Sequence, residues 1–206
     1  MAGALNLEKQ LRFYGAYHHN PVNIWIHITC VPVILWSFIL LCTNTPDLVK
    51  IPDQYQIPYL PPNLGLFVCS AYCVLYVLLE PVAGTALAAL LLASTAWANH
   101  LTSTYGMTAN YYALAAHVGS WIAQFVGHGR FEGRKPALLD NLFQAFFLAP
   151  LFVWLEVFFM LGYRPDLQQR IEGLVLEDIA KFKAEQKQAV NGKANGKAVN
   201  GHAKAS

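Results

Sequence analysis

Five apolar stretches, roughly 22–42, 64–79, 82–101, 110–128 and 142–161, recur along the chain and leave little room for anything but helices in a bilayer. In hydrocarbon every backbone N–H and C=O must be satisfied within the segment, which helices do and open strands do not. A span needs about 20 apolar residues, and these stretches are at or slightly below that length. Composition agrees: 55% of the 206 residues are hydrophobic and 13% charged, whereas soluble domains carry about 25% charged residues. The fold class expected is all-α, a polytopic transmembrane helix bundle. The net charge of +2 says nothing about nucleic acid, and with no basic patch interleaved with aromatics none is expected as a partner.

Lys and Arg placement sets the topology. Lys9 and Arg12 precede the first stretch and Arg130, Arg134 and Lys135 follow the fourth, while loop 43–63 has only Lys50 and loop 102–109 has none. Four spans with both flanks in the cytosol satisfy the rule. A fifth crossing would send the Lys-rich tail to the lumen. With Pro150 and Glu156 inside it, segment 142–161 is expected to be re-entrant or interfacial. Short spans and the absence of a secretory signal ahead of the first one point to the thin endoplasmic reticulum bilayer.

Three regions are expected: a membrane-embedded bundle over 1–165, a cytosolic amphipathic helix over 166–187, and a disordered low-complexity tail over 188–206. In the tail, Asn191-Gly192-Lys193-Ala194 repeats as Asn195-Gly196-Lys197-Ala198. Small residues from Gly84 to Ala88 suit close helix packing. The four cysteines, all in apolar stretches, read as small buried hydrophobes with no disulfide framework.

Chemistry concentrates in Tyr17-His18-His19-Asn20-Pro21-Val22-Asn23-Ile24-Trp25-Ile26-His27. Asn20 is a good N-cap and Pro21 suits the first helical position, so two histidines sit on the turn before a helix and a third projects from it. Asn23 and His27, four apart, share one face. Read singly, these are interfacial or hydrogen-bonded histidines; three within ten residues at a membrane surface read as a site. The topology brings His18, His19 and His27 to the same side as His128 and Glu132, at the end of the fourth stretch, and leaves His100 on the other side. His117 is eleven residues from His128, about 16 Å along one helix, too far to share a metal, and reads as a hydrogen-bonded bundle histidine. The compact set is His18, His19, His27 and His128, with Glu132 and Asn23 as supporting groups or additional ligands. Imidazoles with one carboxylate and no thiolate suit Fe(II) or Zn(II). The cations Arg130 and Arg134 are equally compatible with topology and with gripping a substrate carboxylate.

Two motifs resemble a known family. The first comprises Phe13-Tyr14, Tyr17-His18-His19-Asn20-Pro21-x-Asn23, Ile26-His27 and Val31-Pro32. The second runs Trp121-Ile122-x-Gln124-Phe125-Val126-Gly127-His128-x-x-Phe131-Glu132-x-Arg134-x-Pro136-Ala137-Leu138-x-Asp140-Asn141-Leu142. Together they are similar to the membrane 2-hydroxy-fatty-acid dioxygenases of yeast phytosphingosine breakdown, a family also carried by many bacteria. The resemblance covers roughly residues 10–165. It implies an Fe(II)-dependent enzyme of the endoplasmic reticulum, with its site facing the cytosol. Such an enzyme takes a 2-hydroxy fatty acid such as 2-hydroxypalmitate and dioxygen to the acid one carbon shorter plus carbon dioxide, in fatty-acid α-oxidation. It carries the metal ligands onto His18, His19, His27 and His128 and the acidic residue onto Glu132, without choosing between His18 and His19. The rival class is a non-enzymatic or electron-carrying bundle with His27 and His128 as haem ligands.

Overall fold

Asn20 accepts a hydrogen bond from the Val22 N–H at 2.9 Å and Pro21 takes the first helical position, so the first long helix begins where the sequence predicts. The computed structural model describes residues 5–133, 135 and 140–202. Among these it has seven α-helices and no strand: α1 (Leu7–Tyr17), α2 (Pro21–Cys42), α3 (Leu64–Leu79), α4 (Pro81–Tyr105), α5 (Met107–Gly127), α6 (Ala149–Met160) and α7 (Pro165–His202). Pro32 lies inside α2 without ending it. π-helical turns over His128–Glu132 and Gln144–Leu148 follow α5 and lead into α6.

The four long helices α2 to α5 alternate in direction. At one end Asn63 donates to the Thr43 carbonyl (3.2 Å) and to Asn99 (2.7 Å), and Asn44 and Asn110 exchange amide hydrogen bonds of 2.9 Å. His100 lies at this end, its ring against Tyr59 and Trp97. Glu80, buried at the opposite end, joins α3 to α4; it pairs with Arg164 and accepts from the Tyr163 hydroxyl at 2.9 Å.

Gly84 allows α3 and α4 to touch. A Cβ there would fall 2.1 Å from the Tyr76 carbonyl oxygen, which agrees with the small-residue packing expected from 84–88. The four cysteines are free; Cys42 and Cys69 are buried, and Cys30 and Cys73 are half-buried.

The fifth apolar segment is part of the core. Leu148, Leu151, Phe152 and Leu155 are fully buried. Gln144 reaches α1 through the Gln10 carbonyl (2.9 Å), Phe146 takes a bond from Tyr72 midway along α3 (3.0 Å), and Trp154 returns to the Ala83 carbonyl at the start of α4 (2.9 Å). α6 then turns into α7 at 116°. α7 lies on α1, its buried stripe being Leu167, Ile171 and Val175. Arg12 forms two 2.6 Å bonds to Asp178, and Arg170 pairs with Glu8. The start of α2 and the end of α6 are therefore held at one end of the bundle.

By length and composition α2 and α4 are each able to cross a membrane, and the bent α6–α7 pair makes three if it counts as one span. This is fewer than the four spans read from the sequence. α3 is apolar but has 16 residues, and α5 carries Asn110, His117, Ser120 and Gln124. The helix expected over 166–187 is present as the first part of α7, which continues through the Asn-Gly-Lys-Ala repeat to His202.

Candidate metal centre

α1 ends at His18, whose N–H caps the helix on the Gly15 carbonyl at 3.2 Å. The non-helical backbone there (φ −133°, ψ 83°) leaves His18 buried and His19 exposed. His18 is buried, its ring stacked on Tyr14 at 4.2 Å and 15°. His27 projects from the second turn of α2, and His128 opens the π-helical turn at the end of α5. The three rings pack edge to face, with centroids 4.3 Å (His18–His27), 4.8 Å (His18–His128) and 4.9 Å (His27–His128) apart. One nitrogen from each lies within 4.8 Å of the other two, and all three residues are buried.

Two hydrogen bonds orient the donors. His18 Nδ1 lies 2.9 Å from the Tyr14 carbonyl oxygen and His27 Nδ1 2.9 Å from that of Asn23, each four residues earlier on its own chain. A carbonyl accepts only from an N–H, so Nδ1 carries the proton and Nε2 keeps its lone pair. Burial, and then the nearby His27 and His128, hold His18 well below the ordinary imidazole range against the opposing pull of the Tyr14 carbonyl. A neutral imidazole is the form that binds metal. Three buried imidazoles, two with their lone pairs fixed from behind, fit a metal ion that retains open positions.

Glu132 closes the site from outside. Its Oε1 accepts from the N–H groups of His19 and Asn20 (both 2.8 Å) and from the Asn23 side chain (3.2 Å). It ties the turn after α5 to the start of α2, and Asn23, fully buried, passes that constraint to His27 through its carbonyl. Gly127 is required where the two helices meet: a Cβ would fall 2.4 Å from Asn23 Oδ1 and 3.3 Å from Ile26 Cδ1.

Compared with known proteins, the chain matches the family model described as 2-hydroxy-palmitic acid dioxygenase Mpo1-like over residues 4–161. It is 40% identical over 171 residues to the 2-hydroxy-palmitic acid dioxygenase MPO1 of Saccharomyces cerevisiae, which covers 82% of this chain and 90% of that relative. The chain belongs to the Mpo1-like family of dioxygenases. No solved structure matches it.

In this Mpo1-like chain it is His18, one of the two residues the sequence left open, that lies beside His27 and His128. His19 is exposed and outside the group of three, because adjacent residues at the helix end face opposite ways. Glu132 and Asn23 are hydrogen-bonded to each other, and Glu132 also to the backbone at the start of α2. Arg130 is exposed on the π-helical turn and is not among the residues lining the cavity beside the imidazoles. Arg134 lies outside the described residues.

His117 is held by other partners. Its Nε2 accepts from Trp121 Nε1 at 3.0 Å and its Nδ1 lies 2.9 Å from Ser37 Oγ. A haem between His27 and His128 has no room, since His18 packs against both rings. Sequence reasoning passed over Tyr14 and Gln124, which line the same small cavity as the histidines. The signal was available: each lies four residues before a histidine of the buried trio, one helical turn away.

Proposed function

We propose that this chain is an Fe(II)-dependent dioxygenase that converts 2-hydroxy fatty acids, such as 2-hydroxypalmitate, to the acid one carbon shorter. The observation that carries the reading is the buried trio His18, His27 and His128, with Nδ1 of His18 and His27 committed to carbonyls. It joins the activity for which the family and its yeast relative are named to a donor set suited to non-haem iron. The reaction balances without a further reductant: 2-hydroxy acid plus O2 gives the shorter acid, carbon dioxide and water, and the substrate supplies all four electrons. Iron bound there would supply Lewis acidity and a place for dioxygen to be reduced. The three imidazoles hold the ion, Glu132 and Asn23 fix their orientation, and the apolar walls keep bulk water out.

The membrane arrangement proposed is four crossings, α2 to α5, with 142–161 entering and leaving on one face. It is supported by the bonds that hold Gln144 to α1 and Arg164 to Glu80 at the same end. That end carries Lys9, Arg12 and Arg130, which supports a site on the cytosolic face of a multi-pass protein, with the endoplasmic reticulum as the proposed membrane. Residues 188–206 lie beyond the buried stripe of α7 and have no part in catalysis. Purified protein loaded with Fe(II) is expected to release pentadecanoate from 2-hydroxypalmitate, one O2 consumed per carbon dioxide formed. No conversion by iron-loaded, folded protein would overturn the reading.

A further inference from the structure

The three imidazoles border a cavity of about 40 Å³ whose other walls include Tyr14 and Gln124. Both residues are more than nine-tenths buried, at 4% and 8% exposure. The Tyr14 hydroxyl and the Gln124 amide nitrogen are each buried without a hydrogen-bond partner. Unspent donors destabilise a folded chain, and replacing them by apolar groups of similar shape is close to neutral. Two at one small cavity therefore point to an acceptor that binds there.

Gln124 also lines a second cavity, of about 240 Å³, which shares Trp121 and Ala145 with the first. Its further walls are predominantly apolar, with Val31, Ile34, Leu35 and Phe38 from α2 and Phe146 opposite. Gln124 thus stands at the boundary between the small pocket that holds the imidazoles and both unpartnered donors and a larger chamber inside the bundle. An amphiphile with an anionic head and an aliphatic tail matches that division.

We propose that Gln124 and Tyr14 bind the carboxylate of the 2-hydroxy acid by donating hydrogen bonds to it, while the acyl chain occupies the 240 Å³ chamber between α2, α3, α5 and α6. This rests on the functional reading above and assigns the head-group contact to these two residues, in place of Arg130 and Arg134. Arg130 is exposed, and a charge in water grips a carboxylate less well than a buried donor.

The test uses full-length, metal-free protein in detergent, with 2-hydroxypalmitate and its methyl ester as probes. Wild type is expected to bind the acid more tightly than the ester, and Gln124→Leu to lose that preference, with acid affinity falling on the order of 10- to 100-fold. Tyr14→Phe, which keeps the ring stacked on His18, is expected to change affinity in the same direction. Without ligand, Gln124→Leu should melt no lower than wild type, an outcome that a merely structural glutamine would not give. With Fe(II) restored, KM for the acid should rise more than kcat falls, at unchanged iron content. If Gln124→Leu does not fold, Gln124→Met carries the same comparison. An unaltered acid-over-ester preference and KM in the folded variants would overturn the head-group assignment while leaving the dioxygenase reading intact. A wild type that neither binds nor converts 2-hydroxypalmitate would overturn both.

Discussion

His18 Nδ1 sits 2.9 Å from the carbonyl oxygen of Tyr14, one helical turn back, and His27 Nδ1 repeats the relation with Asn23 at the same distance. Two buried histidines, one capping α1 and one on α2, are thus oriented by the same local device, in which a backbone carbonyl four residues back takes the outer proton and aims the inner lone pair. His18→Ala, His27→Ala and His128→Ala are each expected to abolish turnover and stoichiometric iron while leaving the protein folded. His19→Ala, with its exposed ring, is expected to retain both. Turnover and metal content measured on the four purified variants decide this, and a dead His19→Ala beside an active His18→Ala would place the site wrongly.

Gly127 is predicted to be intolerant of even a methyl group. An added Cβ would press on Asn23 Oδ1, in a residue that is fully buried. Overpacking of this kind costs about 1–3 kcal/mol. Gly127→Ala should lower Tm and weaken iron binding together, because Asn23 also supports His27. Denaturation and Fe(II) titration of the variant check both effects. Gly129→Ala, where a Cβ would meet nothing within 4 Å, is the control and should match wild type.

Glu132 is expected to matter through geometry. Glu132→Ala strips the His19 and Asn20 N–H groups and the Asn23 amide of their shared acceptor, and should weaken iron affinity on the order of 10- to 100-fold. Glu132→Gln keeps an acceptor oxygen and should recover part of that loss. Fe(II) titration of both variants makes the comparison. Equal and complete loss in both would instead mean that the carboxylate charge itself is needed.

Much of this site is legible in the sequence. The N-cap Asn20 with Pro21, the Gly127-His128 end of the fourth stretch and the charge pattern bring His18, His19, His27, His128 and Glu132 to one end of the bundle before any coordinates. Which of His18 and His19 turns inward is not legible, because it depends on the backbone of one residue at the end of α1. Arg130 is ambiguous in the sequence for a general reason: a cation near a membrane surface reads the same whether it faces water or substrate. The unspent donors of Tyr14 and Gln124 become visible only once neighbouring helices have excluded every partner. The span count is blurred because helices with polar inner faces, such as α5, score poorly on apolarity even when they pack among apolar neighbours.

The α1–α7 clamp predicts a pH dependence at low pH. The Arg12 guanidinium, bonded to both oxygens of Asp178, holds that carboxyl below its ordinary range. A depressed folded value means that the contribution is fully present above the unfolded Asp value of about 3.9 and is lost as pH falls through the folded one. Amide protection of α7, corrected for intrinsic exchange, should therefore hold from neutral pH down to the carboxylate range and drop below it. In Asp178→Asn the drop should be absent. The pair is partly exposed, so the effect is modest and weakens with added salt.

Removing residues 188–206 should leave this clamp, the buried stripe of α7 and the metal centre untouched, since Leu167, Ile171, Val175 and Asp178 all precede the cut. Specific activity and Tm of the truncated chain are expected to equal those of the full chain. A folded truncation without turnover would show that the tail contributes to the site.

The central claim is that His18, His27 and His128 hold one non-haem iron, and metal analysis of purified protein reconstituted with Fe(II) tests it most directly. The account predicts one iron per chain, no Soret band, and loss of that iron in His18→Ala, His27→Ala and His128→Ala but not in His19→Ala or His117→Ala. Iron absent from the folded wild type, a haem spectrum, or iron retained in full when any one of the three buried histidines is replaced would contradict it.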